Sequence, residues 1–217
     1  MKLILFDLDG TLVDSVQDIA SSVNELREQM GRSALPPRTI QSYVGDGVRK
    51  LLERSLDAAP DADLAREEEV YLSIYRRRLL ETTKPYPGVV PALEELHVRY
   101  PLAVLTNKPV AESLRILEGL HLRRYFRSVC GGDSFARKKP DPMGVRFLQA
   151  ELGAEDGTTI LVGDSSVDYR TAKNAGILSC LVRYGLGPWN EAEERPDFVV
   201  DDLRELASLV DSGSTGS

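Results

Sequence analysis

Two aspartates set one residue apart, Asp7 and Asp9, follow directly on the apolar run Leu3-Ile4-Leu5-Phe6. Four apolar residues ended by a turn signal, here Asp9-Gly10, read as a strand buried on both faces. Buried strands of this kind belong to parallel sheets, which need long crossover connections, usually helices. The chain is thereby held to an α/β architecture, and its ligands to the carboxyl ends of the strands. Asp7 and Asp9 stand at such an end. Two carboxylates, the permissive backbone of Gly10 and the hydroxyl of Thr11 suit a phosphate group and an oxygen-seeking cation such as Mg²⁺.

The next seventy residues depart from that plan. Val16, Ile19, Ala20, Val23, Leu26 and Met30 recur at three- and four-residue steps and predict an amphipathic helix, capped by Asp14 or Ser15 and ended at Gly31. Pro36-Pro37 opens a second short helix ending near Val44. Asp46, in the turn Gly45-Asp46-Gly47, is placed to cap a third, and a fourth runs to about Leu80. Lys84-Pro85-Tyr86-Pro87-Gly88 is a stiff turn and a hinge. From there apolar strand patterns at 102–105, 128–130, 159–162, 178–182 and 198–200 alternate with helical ones. The expected fold is a Rossmann-like parallel-sheet core (residues 1–14 and 85–211) with an inserted all-helical cap (15–84) and a flexible tail (212–217).

Polar residues gather at four places in this alternation. Asp7, Asp9, Gly10 and Thr11 end the first strand. Thr106, Asn107 and Lys108 end the second core strand. Lys138 and Lys139 open a helix. Gly163, Asp164, Ser165 and Asp168 end a later strand. There is no Gly-x-Ser-x-Gly or P-loop string, and with only two histidines, His97 and His121, both in helical or helix-end contexts, the sequence argues against a histidine-based phosphatase or a zinc site. A net charge of −7 and pI of about 5.0 argue against a nucleic-acid partner. No signal peptide or apolar run of transmembrane length is read, so a cytoplasmic protein without a membrane partner is expected. Cys130 and Cys180 read as buried reduced thiols. The oligomer is expected to be a monomer or a homodimer.

The string Asp7-x-Asp9-Gly10-Thr11-Leu12-x-Asp14-Ser15, followed in order by Thr106-Asn107, Lys139-Pro140-Asp141-Pro142 and Gly163-Asp164-x-x-x-Asp168, resembles the four motifs of the haloacid dehalogenase superfamily. The helical insertion after the first motif resembles that superfamily's first cap type. The resemblance implies a Mg²⁺-dependent phosphatase working through an aspartyl-phosphate. Asp7 would be the nucleophile and Asp9 the proton shuttle, protonated at the start because negative charge lies near it. Thr106, Asn107, Gly10 and Lys139 would bind the phosphoryl group. Asp7, Asp164 and the backbone carbonyl of Asp9 would hold the metal, with Thr11, Ser165 and Asp168 behind them. Lys139 is preferred to Lys138 because it precedes the proline, and Lys108 reads as a helix-start surface residue.

An acid at position 9 points to phosphatase or phosphomutase members. Tyr43-Val44-Gly45-Asp46-Gly47, Lys84-Pro85-Tyr86-Pro87-Gly88 and Gly131-Gly132-Asp133-Ser134 are similar to strings of the bacterial phosphoglycolate phosphatases. A small anionic phosphate ester, foremost 2-phosphoglycolate, is therefore the expected substrate. Gly45, Asp46, Gly47, Arg49 and Lys50 of the cap would read its carboxylate. A β-phosphoglucomutase-like phosphosugar mutase and an inorganic pyrophosphatase remain alternatives within the same superfamily.

Overall fold

Along the first strand the side chains alternate between two cores. Ile4 and Phe6 enter the larger hydrophobic cluster, Leu3 and Leu5 the smaller one on the opposite face, and all four are fully buried. The computed structural model describes residues 1–187, 189–190 and 192–212. Strand β1 (Leu3–Phe6) turns into the short β2 (Val13–Asp14). Helices α1 (Val16–Gln29), α2 (Pro37–Gln41), α3 (Val48–Ser55) and α4 (Ala65–Arg78) form the cap. Then come β3 (Lys84–Pro85), α5 (Val89–Leu96), β4 (Leu102–Leu105), α6 (Val110–Gly119), β5 (Ser128–Cys130) and α7 (Met143–Leu152). The chain closes with β6 (Thr159–Gly163), α8 (Ser166–Ala175), β7 (Leu178–Val182), β8 (Phe198–Val200) and α9 (Glu205–Ser212).

Six strands pair in parallel in the order β5-β4-β1-β6-β7-β8. The chain runs outward through β4 and β5 on one side of β1, then crosses to β6 and runs outward on the other. The direction reverses beside β1, and a crevice at that reversal is where open α/β sheets bind ligands. No helix among the described residues is long and apolar enough to cross a membrane. Cys130 and Cys180 are buried and free. The expected tail lies, from residue 213 onward, outside the described residues.

The two chain passages between core and cap are tied together. Val13–Asp14 pairs antiparallel with Lys84–Pro85, where the sequence suggested only a turn. Strands of two residues are too short to carry a period, so nothing in the pattern marked them. A second tie is made by Asp18 in the first turn of α1, which is 1% exposed. Its carboxylate accepts the Thr82 and Thr83 backbone N–H groups at 2.9–3.1 Å and both hydroxyls at 2.6 and 2.7 Å. Burial alone would raise its pKa, but these donors hold it below the ordinary value. Asp18→Ala leaves the amides without their buried acceptor, and a loss of about 2–4 kcal/mol in urea unfolding at pH 7 is expected. Since the folded pKa is depressed, the contribution is present above the unfolded carboxyl pKa and lost as pH falls through the folded one. The gap between wild type and Asp18→Ala should narrow below about pH 4; a gap unchanged at pH 3 would contradict this role.

Helix α8 begins at Ser166, where Ser165 and Asp168 form a reciprocal capping box. Two local expectations are corrected. Asp46 does not cap α3: Gly47 holds that position, and the Asp46 carboxylate pairs with Arg54 at 2.6 Å. Of the two caps expected for α1, Ser15 precedes the helix but its hydroxyl donates to Asp9, while the Asp14 carboxylate accepts the Val16 amide at 3.4 Å.

Candidate active site

The carboxyl ends of β1, β4 and β6 meet under the cap. Asp7 follows β1 directly, and its N–H donates to the Val162 carbonyl of the neighbouring β6 at 2.9 Å. Its side chain accepts the Leu8 amide at 2.8 Å and lies 3.0 Å from Lys139 Nζ. The same ammonium lies 2.6 Å from Asp168 Oδ1. Asp168 Oδ2 accepts the Ser165 hydroxyl at 2.7 Å and more loosely the amides of Asp164 and Ser165. Ser165 and Asp168 thus form a bracket that holds Lys139 against Asp7.

Asp164 completes an acidic cluster. Oxygens of Asp7, Asp164 and Asp168 lie within 4.8 Å of one another, and all three residues are buried. Asp164 accepts the Thr11 hydroxyl at 3.1 Å and the amides of Leu186 and Gly187 at 2.7 and 2.8 Å. Gly10, at φ +87°, runs so close that a Cβ there would stand 2.1 Å from Asp164 Oδ2. Glycine at this position is therefore a condition for the Asp164 position. Burial first, then Asp168, raise the Asp7 carboxyl to about 6 against the opposing charge of Lys139. Burial first, then Asp168 and Asp7, raise Asp164 to about 7. Lys139 pays burial too, yet Asp168 and Asp7 hold it protonated.

Three carboxylates here face one ammonium. An all-oxygen donor set with excess negative charge fits a hard divalent cation such as Mg²⁺. Asp7 and Asp164 belong to this cluster as expected, and Asp168 stands in it as well. The Asp9 side chain does not.

Asp9 has neighbours of the opposite kind from those expected. Its carboxylate lies 2.8 and 3.0 Å from Lys108 Nζ and accepts the Ser15 hydroxyl at 2.5 Å. The anticipated crowding by negative charge falls on Asp7 and Asp164 instead. Lys108 is accordingly not a surface residue: it is 8% exposed, and its ammonium sits 4.6 Å above the Tyr75 ring of the cap. Its place at the end of β4, beside Thr106 and Asn107, is the signal that could have marked it. Ser15 carried a weaker signal, being the last residue of the first motif.

Thr106 is buried, and its hydroxyl accepts the Lys108 amide at 3.3 Å. Asn107 Nδ2 donates to the carbonyls of Gly45 and Lys139, both at 3.0 Å. Both its N–H groups are therefore committed to backbone, where donation to a phosphoryl group was expected. Its Oδ1 is buried without a partner.

The cap lies closed over these strand ends. Besides the Asn107–Gly45 bond, Lys138 Nζ donates to the Asp46 carbonyl at 2.5 Å and Arg76 pairs with Glu112 at 2.6 Å. Gly47, at φ +86°, brings the loop so near that a Cβ would meet Lys138 Nζ at 2.8 Å. Between cap and core is a cavity lined by Asp7, Asp9, Thr106, Asn107 and Lys108 below, and by Gly45, Gly47, Val48, Leu51, Tyr71 and Tyr75 above. Arg49 and Lys50 do not line it. Arg49 bonds Glu53, Glu68 and the Ala62 carbonyl, and Lys50 lies 2.5 Å from Glu53. Pairs three and four apart on one helix face satisfy each other.

Residues 4–182 match the family of haloacid dehalogenase-like hydrolases. A phosphoglycolate phosphatase of Neisseria meningitidis is 38% identical over 95% of this chain and 92% of its own. One of Aquifex aeolicus is 38% identical over 98% of each. Among solved structures, a predicted phosphoglycolate phosphatase from Haemophilus somnus superposes with a TM-score of 0.90 at 29% identity, over 96% of this chain and 97% of that one.

Proposed function

The chain belongs to the haloacid dehalogenase-like hydrolases, and from that premise we propose that it hydrolyses 2-phosphoglycolate with Mg²⁺ through a phosphorylated Asp7. It is an enzyme, a phosphoric monoester hydrolase of the α/β class with an inserted helical cap. The observation that carries the mechanism is the buried Asp7 at the tip of β1, 3.0 Å from Lys139 and open to the cavity under the cap.

In this reading Asp7 attacks phosphorus, and the ester oxygen leaves with a proton from Asp9, which must enter the step as the neutral acid although Lys108 stands beside it. Asp9 then takes a proton from the water that cleaves the aspartyl-phosphate. Splitting the reaction in this way replaces one difficult displacement by two easier ones, and the proton transfers are worth typically ~10²–10⁴-fold. Lys139 offsets charge on the phosphoryl oxygens. Asp7 and Asp164, with the Asp9 carbonyl, are the proposed Mg²⁺ ligands. The ion supplies Lewis-acid stabilisation of the phosphoryl oxygens when bound. Asp168, Ser165 and Thr11 position Lys139 and Asp164, and Gly10 makes the close packing possible. The closed cap excludes water and leaves little room for a large leaving group, which supports a small ester.

Gly45 and Gly47 keep the cap side of the proposed substrate contact, since both line the cavity. The contacts of Arg49, Lys50 and Asp46 favour a structural part for those three. We propose a cytoplasmic site of action, in keeping with the two free buried thiols.

The test is a phosphate-release screen over small phosphate esters with Mg²⁺ and with excess chelator. The expected result is phosphate release that is highest on 2-phosphoglycolate and lost in chelator. Full activity in chelator would refute the metal part. A tenfold or greater preference for a neutral sugar phosphate or pyrophosphate would refute the substrate. Conversion of a sugar phosphate to an isomer without phosphate release would favour the mutase alternative.

A further inference from the structure

We propose that Lys108 is the specificity-determining residue for the leaving group, selecting phosphate esters that carry a carboxylate next to the ester carbon. This deepens the phosphomonoesterase reading above and rests on it. Five other cations lie near the cap loop or the cluster, and each is engaged elsewhere. Arg49 and Lys50 are held by Glu53 on α3, Arg54 by the Asp46 carboxylate, Lys138 by the Asp46 carbonyl, and Lys139 by Asp7 and Asp168. Among the described residues Lys108 is the cation that lines the cavity.

Its position is on the leaving-group side. The ammonium lies 2.8 and 3.0 Å from the two oxygens of Asp9, the group assigned to protonate the ester oxygen. Lys139, by contrast, touches Asp7 and faces the phosphoryl group. In 2-phosphoglycolate a single methylene separates the ester oxygen from the carboxylate. A cation that touches the proton donor of that oxygen is therefore within reach of the carboxylate as well. An ammonium has three N–H groups. Two are accounted for by Asp9, and no third hydrogen-bond acceptor is found among the described residues.

The surroundings sharpen the selection. The apolar lining of the cavity that Lys108 enters includes Ile19, Val48, Leu51, Tyr71 and Tyr75, and a charge interaction in an apolar enclosure is stronger than in water. Tyr75 is the ring beneath the ammonium, and its buried hydroxyl has no hydrogen-bond partner. A second anion delivered to this corner would meet a cation. A neutral leaving group of the same size would gain nothing from it.

The experiment compares kcat/KM for 2-phosphoglycolate and for 2-hydroxyethyl phosphate, which replaces the carboxylate by a hydroxymethyl group, in wild type, Lys108→Met, Lys108→Gln and Lys108→Arg. Wild type should prefer the carboxylate ester. In Lys108→Met and Lys108→Gln that preference should shrink by at least about tenfold, about 1.4 kcal/mol, mainly through KM for 2-phosphoglycolate. Lys108→Arg should keep most of it. Equal losses on both esters in Met and Gln variants would overturn the assignment and leave Lys108 as a positioning residue for Asp9. A wild-type ratio near one would overturn the proposal together with its substrate premise. A wild-type preference that survives in the Met and Gln variants would overturn the lysine alone. Urea midpoints of the variants separate misfolding from altered selection.

Discussion

Asp7→Asn is expected to abolish turnover while leaving the fold intact. The amide keeps the shape of the carboxylate and can keep the 2.8 Å bond from the Leu8 amide. What it loses is the charge and the lone pair that would attack phosphorus. Loss of an essential nucleophile removes on the order of 10⁴-fold or more of the rate. Stability should move the other way or not at all. Asp7 is a buried carboxylate whose pKa is raised first by burial and held back by Lys139. Neutralising it relieves the acidic cluster, and Lys139 keeps its partner Asp168 at 2.6 Å. The expected outcome is a urea midpoint equal to or above that of wild type, with phosphate release at background. Steady-state release above about 10⁻³ of the wild-type rate from clean protein would rule out Asp7 as nucleophile.

The parts of this enzyme that could be read in the sequence are those where a local pattern and a global constraint agree. Leu3 to Phe6 had to be a buried strand, and the sheet order places Asp7 at its ligand end. Helices α1, α3 and α4 of the cap announce themselves by apolar spacing and α2 by Pro36-Pro37, although at the start of α3 the expected cap Asp46 gives way to Gly47. Less legible were features decided by a partner far away in the chain. Lys108 looks like an ordinary residue before Pro109 until Asp9, ninety-nine positions earlier, is brought to it by the β1–β4 pairing. Asn107 looks like a phosphate ligand until the cap folds over and offers the Gly45 carbonyl. Asp18 looks like a routine first-turn acid until Thr82 and Thr83 return beside it. Arg49 and Lys50 had their answer close by, in Glu53 three and four residues on. There the helical spacing itself argued for pairing on the helix rather than for contact with a substrate.

The adjacent lysines offer the other large effect, because they differ by one position and by almost everything physical. Lys139 Nζ sits between Asp7 and Asp168, and its side chain is 2% exposed. Lys139→Ala leaves Asp7, Asp164 and Asp168 clustered without their cation. Removing one partner of a buried charge set costs about 3–5 kcal/mol, so urea unfolding of metal-free protein should shift by that order. Activity should fall further than stability explains, since charge stabilisation at a transferring group is worth roughly 10²–10³-fold. Adding Asp7→Asn to Lys139→Ala should recover part of the stability and none of the activity, because the two residues are in contact and their effects do not add. Lys138 reaches across to the Asp46 carbonyl on the cap. Lys138→Ala removes one cap contact, while Asn107 and Arg76 still hold theirs. Its expected signature is a severalfold rise in KM, a stability change within about 1 kcal/mol and a nearly unchanged kcat. Equal losses of kcat in the two variants would mean that the charge assigned to Lys139 is not what the reacting phosphoryl group meets, and the role of the Asp168 bracket would fall with it.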